Sequence, residues 1–308
     1  MFRGSIPALV TIFRDEALDE HAFLDFVRWQ VAEGSHALVP CGTTGESATL
    51  TSAEHRRVIE LAIEGAAGQV KVIAGCGSNN TAQAIELTRS AKEAGADAAL
   101  HVPPYYNRPN QEGIYAHLAA IAEAVDIPII LYNVPARTIT DIAVETMARL
   151  AKIANVIGVK DATANLARVS AQRSACGENF IQLSGNDDLA LGFSAMGGSG
   201  CISVTANVAP KLCAEFQNAC LSGDWKVALK LQDRLYPLHA ALFTDASPGP
   251  VKYAVNRLHP DFRAGLRLPL EGGDVVRHLL GRVGGRLDEA ARGERGGEEQ
   301  GKEAHFGK

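Results

Sequence analysis

The 308-residue chain lacks any apolar run long enough to span a bilayer. Its opening stretch, Met1 to Phe13, is too short and too broken by Arg3, Gly4 and Pro7 to act as a signal peptide, so a cytoplasmic protein is expected. Positive charge is in short supply: 30 Lys and Arg stand against 35 Asp and Glu, a net charge of -5. Without a basic stripe or a Lys/Arg-rich amphipathic segment, nucleic acid and membrane surfaces are set aside as partners, and small molecules are preferred.

Metal and redox signatures are missing as well. The six cysteines (Cys41, Cys76, Cys176, Cys201, Cys213, Cys220) show no CxxC and no Cys/His spacing that would clamp zinc, and they read as free buried thiols. The nine histidines contain no HExxH, and no Gly-x-Ser-x-Gly elbow occurs, so neither metal nor serine chemistry is expected. Gly75-Cys76-Gly77 lacks the third glycine of a dinucleotide fingerprint, and Gly197-Gly198-Ser199-Gly200 opens a strand instead of following one. No cofactor is called for.

What the chain does have is alternation. Eight short β-branched runs recur at Ser5 to Val10, His36 to Pro40, Val70 to Cys76, Ala98 to Val102, Ile127 to Tyr132, Val156 to Lys160, Phe180 to Ser184 and Gly200 to Ser203. Between them apolar residues fall at helical spacing, as in Phe23, Phe26, Val27 and Val31, or in Val58, Leu61 and Ala62 behind the cap candidates Thr51 and Ser52. Consecutive apolar positions, as in Ile127 to Leu131, suit parallel strands buried on both faces. The predicted fold is α/β, a (β/α)8 TIM barrel over residues 1–204, with an open doubly wound sheet as the competitor. A helical extension covers 205–270, with helices at Pro210 to Leu221, Trp225 to Leu242 and Pro250 to Leu258. A Gly- and charge-rich tail over 271–308 is expected to be partly disordered, with one short helix around Val275 to Leu280.

In such a barrel the chemistry lies at the C-terminal ends of the strands. Of ten lysines, Lys160 alone follows an apolar strand, Val156-Ile157-Gly158-Val159, at that face. A lysine in an apolar wall is costly to keep charged, which favours the free amine that attacks a carbonyl. The bland alternative is an ion pair with Asp161 or Glu46 at the rim. Tyr132 ends the neighbouring strand, where a phenol can shuttle protons above Lys160, although a single Tyr is more often an amphipathic core residue. Thr43 and Thr44, flanked by glycines, can bind a carboxylate or relay a proton, or simply make a tight turn. Arg137 offers a planar fork for a carboxylate, with a solvated surface arginine as the alternative.

These residues fall within longer motifs: Gly42-Thr43-Thr44-Gly45-Glu46-Ser47, Pro104-Tyr105-Tyr106-Asn107-Arg108-Pro109, Tyr132-Asn133-Val134-Pro135-Ala136-Arg137-Thr138, Gly158-Val159-Lys160-Asp161-Ala162-Thr163 and Ser203-Val204-Thr205-Ala206-Asn207. Together, and in this order, they closely resemble the dihydrodipicolinate synthases of the pyruvate-dependent class I aldolase superfamily, from Met1 to about Leu270. The resemblance implies that Lys160 forms a Schiff base with pyruvate and that Tyr132, Thr43 and Tyr106 form a proton relay, with Tyr106 supplied by the adjacent subunit. It further implies that Thr44, the backbone of Ile202 and Gly185 hold the pyruvyl group, and that Arg137 receives aspartate semialdehyde.

A homo-oligomer, a dimer of dimers, and a place in diaminopimelate and lysine biosynthesis follow from the same resemblance. Sister aldolases, such as N-acetylneuraminate lyase and 2-keto-3-deoxy sugar acid aldolases, share the lysine and tyrosine but differ around Thr44 and Arg137. A silent keto-acid-binding barrel is the remaining alternative. Where feedback-inhibited members bind lysine, this chain offers Ser47, Ala48, His55, Asn79 and Tyr105, but Gln83 in place of a glutamate. The tail after Leu270 also lacks the apolar helix that usually closes the family's chain.

Overall fold

The computed structural model describes residues 2–271. The short helix expected around Val275 to Leu280, and the tail beyond it, lie outside the described residues. Eight parallel strands form one sheet in the order β1 (Gly4–Pro7), β10 (Gly200–Ser203), β9 (Ile181–Ser184), β8 (Val156–Asp161), β7 (Ile129–Asn133), β6 (Ala98–His101), β5 (Lys71–Gly75) and β4 (Ala37–Leu38). The sheet closes on itself. His36 N–H donates to Ser5 O (2.8 Å), Val39 N–H to Pro7 O (2.9 Å) and Leu9 N–H to Val39 O (2.9 Å), so β1 meets β4 and neither strand is left as an edge.

Around this barrel run α1 (Glu20–Ala32), α2 (Ser52–Ala66), α3 (Thr81–Ala94), α4 (Gln111–Ala124), the short α5 (Pro135–Thr138), α6 (Val144–Leu150), α7 (Ala167–Cys176) and α8 (Ala190–Ala195). The helix α2 starts where the sequence suggested: Thr51 and Glu54 form a reciprocal capping box. Ile6, Ala8, Val39, Ile73, Ala98, Leu100, Ile130, Tyr132, Leu183 and Ile202 fill the barrel interior. Alternate residues of the same strands, such as Ile129, Leu131, Val156 and Val159, face the helices. This double burial is why the strands read as continuous apolar runs.

The strands begin and end within a few residues of the predicted runs, and each difference has a local cause. Of the run Ser5 to Val10 the regular strand ends at Pro7; Ala8 and Leu9 still bond to β10 and to Val39, and only the Val10 N–H turns away, to the side chain of Asn207 (3.0 Å). The run Ile127 to Tyr132 enters the sheet only at Ile129, because Pro128 has no N–H to give. A two-stranded antiparallel ribbon, β2 (Phe13–Arg14) with β3 (Ala17–Leu18), was not expected. Its turn residues Asp15 and Glu16 both have positive φ (50° and 68°), the geometry of a tight hairpin, yet without the glycine that normally announces one.

Past β10 the chain is helical in α9 (Pro210–Ser222), α10 (Trp225–Ala241) and α11 (Gly249–Leu258), close to the predicted spans. These helices do not stand apart from the barrel. Leu242, Val251, Ala254, Val255 and Phe262 share one apolar cluster with Phe23, Phe26 and Val58, and Phe262 meets Phe26 edge-on at 5.5 Å. All six cysteines are free; five are buried and Cys176 is half-buried. Among the described residues no helix is long and apolar enough to cross a membrane.

Candidate active site

The centre of the site is set by a one-residue slip between two strands. Ile129 pairs with Val156, but Ile130 pairs with Gly158, so Ile157 is an extra residue on β8. Without that irregularity Lys160 would stand beside Asn133, whose side chain turns away to Asp141 (2.7 Å). With it, Lys160 is level with Tyr132 on one side and with Leu183 on the other, and all three point into the barrel. The Lys160 Nζ lies 4.0 Å from the centre of the Tyr132 ring. Both side chains are buried.

Gly185, just beyond β9, leaves the room this arrangement needs. A Cβ there would stand 2.7 Å from the Ala162 Cβ and 3.1 Å from the Lys160 Cε. The ion-pair alternative for Lys160 fails on geometry, because both carboxylates are committed elsewhere. Asp161 turns outward and accepts from Thr163 N (2.9 Å), Thr163 Oγ1 (2.6 Å), Gln172 Nε2 (2.6 Å) and Arg168 Nε (3.2 Å). Glu46 pairs with Lys252 at 2.6 Å. Among the described residues Lys160 enters no ion pair, which leaves its amine without a neutralising carboxylate.

The loop after β4 carries Thr44, which is buried, and Thr43, which is exposed. It is folded tightly on itself: Gly45 N–H donates to Gly42 O (3.1 Å), Glu46 N–H to Thr43 O (3.1 Å), and the Thr11 hydroxyl to Gly45 O (2.6 Å). Ile202 lies on β10 beside Ile6. Arg137 is exposed on α5, a turn anchored by the Thr138 hydroxyl, which donates to Val134 O (3.1 Å), and by the Thr140 hydroxyl, which donates to Pro104 O (2.7 Å). Tyr106 stands apart from the others, 90% exposed with φ of 69°.

Two further groups were not singled out by sequence reasoning. Asp187 is buried and accepts from the Ser203 hydroxyl, from Val204 N–H (2.9 Å) and from Thr205 N–H (3.2 Å), which fixes the turn directly after Ile202. Its place in Gly185-Asn186-Asp187-Asp188 at a strand end was the available signal. Lys252, the partner of Glu46, gave none.

A profile described as the dihydrodipicolinate synthetase family matches residues 1–274. The chain belongs to that family. The chain is 65% identical over 270 residues to the 4-hydroxy-tetrahydrodipicolinate synthase of Rhizorhabdus wittichii, covering 88% of this chain and 93% of the relative. Among solved structures, the chloride-inhibited dihydrodipicolinate synthase from Acinetobacter baumannii complexed with pyruvate superposes with a TM-score of 0.90 at 41% identity, covering 94% of this chain and 99% of that one. The enzyme from Cyanidioschyzon merolae with lysine bound gives 0.88 at 35% identity, covering 94% and 98%.

The residues at which members of this dihydrodipicolinate synthetase family are expected to take lysine are partly gathered. Asn79 donates from its side chain to Tyr105 O (3.2 Å), and Ser78 Oγ donates to the exposed Gln83 (2.7 Å). Ser47 and Ala48 open the short helical turn after the threonine loop. His55 is buried, with Nε2 against Gly75 O (2.7 Å) and Nδ1 without a partner among the described residues. Burial lowers its pKa, so the ring is neutral at physiological pH.

Proposed function

We propose that this chain joins pyruvate to L-aspartate 4-semialdehyde through a Schiff base on Lys160. The products are 4-hydroxy-tetrahydrodipicolinate and water, and the reaction opens the route to diaminopimelate and lysine. The observation that carries this reading is the buried Lys160 amine: it has no carboxylate partner among the described residues, lies against the Tyr132 ring and is given space by Gly185. Family membership and the pyruvate complex of a 41%-identical neighbour support it.

The chemistry then follows from the groups at hand. The amine adds to the keto carbon of pyruvate, a carbinolamine forms, and loss of its hydroxyl as water leaves the iminium. Each of these steps moves a proton, and the Tyr132 hydroxyl, with Thr43, is the group we assign to carry it. Loss of a methyl proton gives an enamine whose carbon attacks the aldehyde. The amine of the semialdehyde then displaces Lys160 from the imine carbon and closes the ring. Thr44, the Ile202 backbone and Gly185 are assigned to the pyruvyl group, and Arg137 to the carboxylate of the semialdehyde.

The test is direct. Pyruvate followed by borohydride should leave one reduced adduct per chain, at Lys160; an adduct elsewhere, or none, overturns the reading. Arg137→Ala should lower kcat/KM for the semialdehyde by roughly 10- to 100-fold, the worth of a charge-assisted fork, while the rate of Lys160 adduct formation changes little. Steady-state kinetics beside the trapping rate checks this, and equal losses in both would move Arg137 out of its assigned role.

The exposure of Tyr106 supports an oligomer in which this side chain completes a neighbour's relay. We therefore read the assembly as a dimer of dimers, which sedimentation of the chain against Tyr106→Ala would test.

Feedback by lysine is a further expectation. A 35%-identical neighbour has lysine bound, but Gln83 here can offer an ammonium only a neutral amide oxygen, which is already engaged by Ser78. The weaker bond costs about 1–2 kcal/mol, roughly tenfold in affinity. A lysine titration should show weak inhibition, and Gln83→Glu should sharpen it about tenfold. Strong inhibition of the unaltered chain at micromolar lysine contradicts this.

A further inference from the structure

The loop that carries Thr43 and Thr44 is tied to the far end of the chain. Lys252 on α11 donates to Glu46 Oε1 at 2.6 Å, 206 residues away, and both side chains have no exposed surface. The other oxygen, Glu46 Oε2, accepts from the backbone N–H of Arg267 (3.1 Å). The Arg267 guanidinium grips Glu54 at the start of α2 (2.6 and 2.9 Å) and the carbonyls of Thr49 (3.2 Å) and Glu16. Both cations lie over one ring: Lys252 Nζ is 4.4 Å and the Arg267 guanidinium 4.2 Å from the centre of Phe13. Among the described residues this is the one ion pair with both side chains fully out of water.

Two charges buried this deeply are a poor way to gain stability, since an apolar pair of the same volume usually serves as well or better. What a buried pair gives is direction. A carboxylate held by Lys252 on one oxygen and the Arg267 amide on the other is confined to one orientation. Glu46 itself sits in the left-handed region (φ 55°), an uncommon conformation for a residue other than glycine. Its own N–H donates to Thr43 O, so whatever fixes Glu46 also fixes the peptide that carries the Thr43 hydroxyl. Arg267 is equally settled: its hydrogen bonds hold the Glu54 carboxyl down at about 2.

We propose that Glu46, Lys252 and Arg267 are positioning residues, through which the C-terminal helices hold the Thr43–Thr44 loop in its working geometry at the mouth of the barrel. This rests on the function proposed above. The helix α11 is a rigid source for the cation, because Val251, Ala254 and Val255 anchor it in the main apolar cluster. The extension past the barrel is thereby part of the catalytic apparatus without touching substrate.

A kinetic double-mutant cycle tests this with Lys252→Met, Glu46→Gln and the double variant, each assayed well below its melting temperature. Loss of loop position should lower kcat about tenfold or more in each single variant, with the KM for pyruvate changed less than about threefold and the borohydride adduct at Lys160 retained. The double variant should lose no more than the worse single, because the two act as one unit. Single variants with kcat within twofold of the unaltered chain, or losses that multiply in the double, overturn the proposal. If the buried variants do not fold, Arg267→Gln serves in their place, with a severalfold loss of kcat expected and an unchanged kcat overturning the proposal. An unaltered chain that forms no Lys160 adduct would instead overturn the functional reading itself.

Discussion

Lys160→Arg is expected to lower turnover by roughly a thousandfold or more, the scale on which removing a covalent nucleophile acts. The guanidinium keeps its proton at any usable pH and cannot attack a keto carbon. The variant should still fold, because Lys160 is fixed in β8 by backbone pairing with Tyr132 and Leu183, and its side chain makes no ion pair among the described residues. Three readings on one preparation decide the matter: kcat, mass after pyruvate and borohydride, and melting temperature. Turnover lost together with the fold would leave the arginine guilty only of bad packing, so Lys160→Ala, which opens space instead of filling it, should give the same kinetic loss. Turnover above a tenth of the original in either variant would remove Lys160 from the mechanism.

That Lys160 was legible in the sequence at all has a simple cause. Barrel strands are buried on both faces, so a charged residue at the end of one stands out against its apolar run. Tyr132 was visible for the same reason. Their alignment was not, because it depends on Ile157 being the extra residue of β8; the available signal was Gly158, since a glycine inside a strand marks a bulge or a close approach. The strands and C-terminal helices could be placed to within a few residues from runs and helical spacing. The β2–β3 ribbon could not, since two-residue strands are shorter than any period.

The site's supporting contacts were the least legible part. Glu46 was weighed as a partner for Lys160 from its place at the rim; the structure gives it to Lys252. A sequence shows that two opposite charges exist, but a pairing across 206 residues is decided by how α11 returns to the barrel. Lys252 sits in a helical run, Pro250 to Leu258, whose pattern does not separate a buried lysine from a solvated one. Tyr106 was legible as a family position, while its exposure appears only once the barrel is built.

The second large effect is expected at this same pair, on stability. Burial pulls the Lys252 pKa down to about 8, against the upward pull of Glu46, which states how costly a charge is at that position. Lys252→Met fills much of the same volume but leaves the Glu46 carboxylate out of water with only the Arg267 amide to satisfy it. Breaking a buried pair from one side costs about 3–5 kcal/mol, which at a few degrees per kcal/mol should lower Tm by roughly 10 °C. In Glu46→Gln/Lys252→Met the stranded charge is gone, and more than half of the loss should return. Thermal unfolding of the single and double variants measures this, and a double variant no more stable than Lys252→Met would show that the cost lies in packing. The kinetic expectation runs the other way: the amide restores neutrality but not the directed ion pair, so kcat should stay low while Tm recovers. Stability and catalysis are thus expected to part company at one pair of residues, because the fold needs only that the charges cancel, whereas the threonine loop needs them to point.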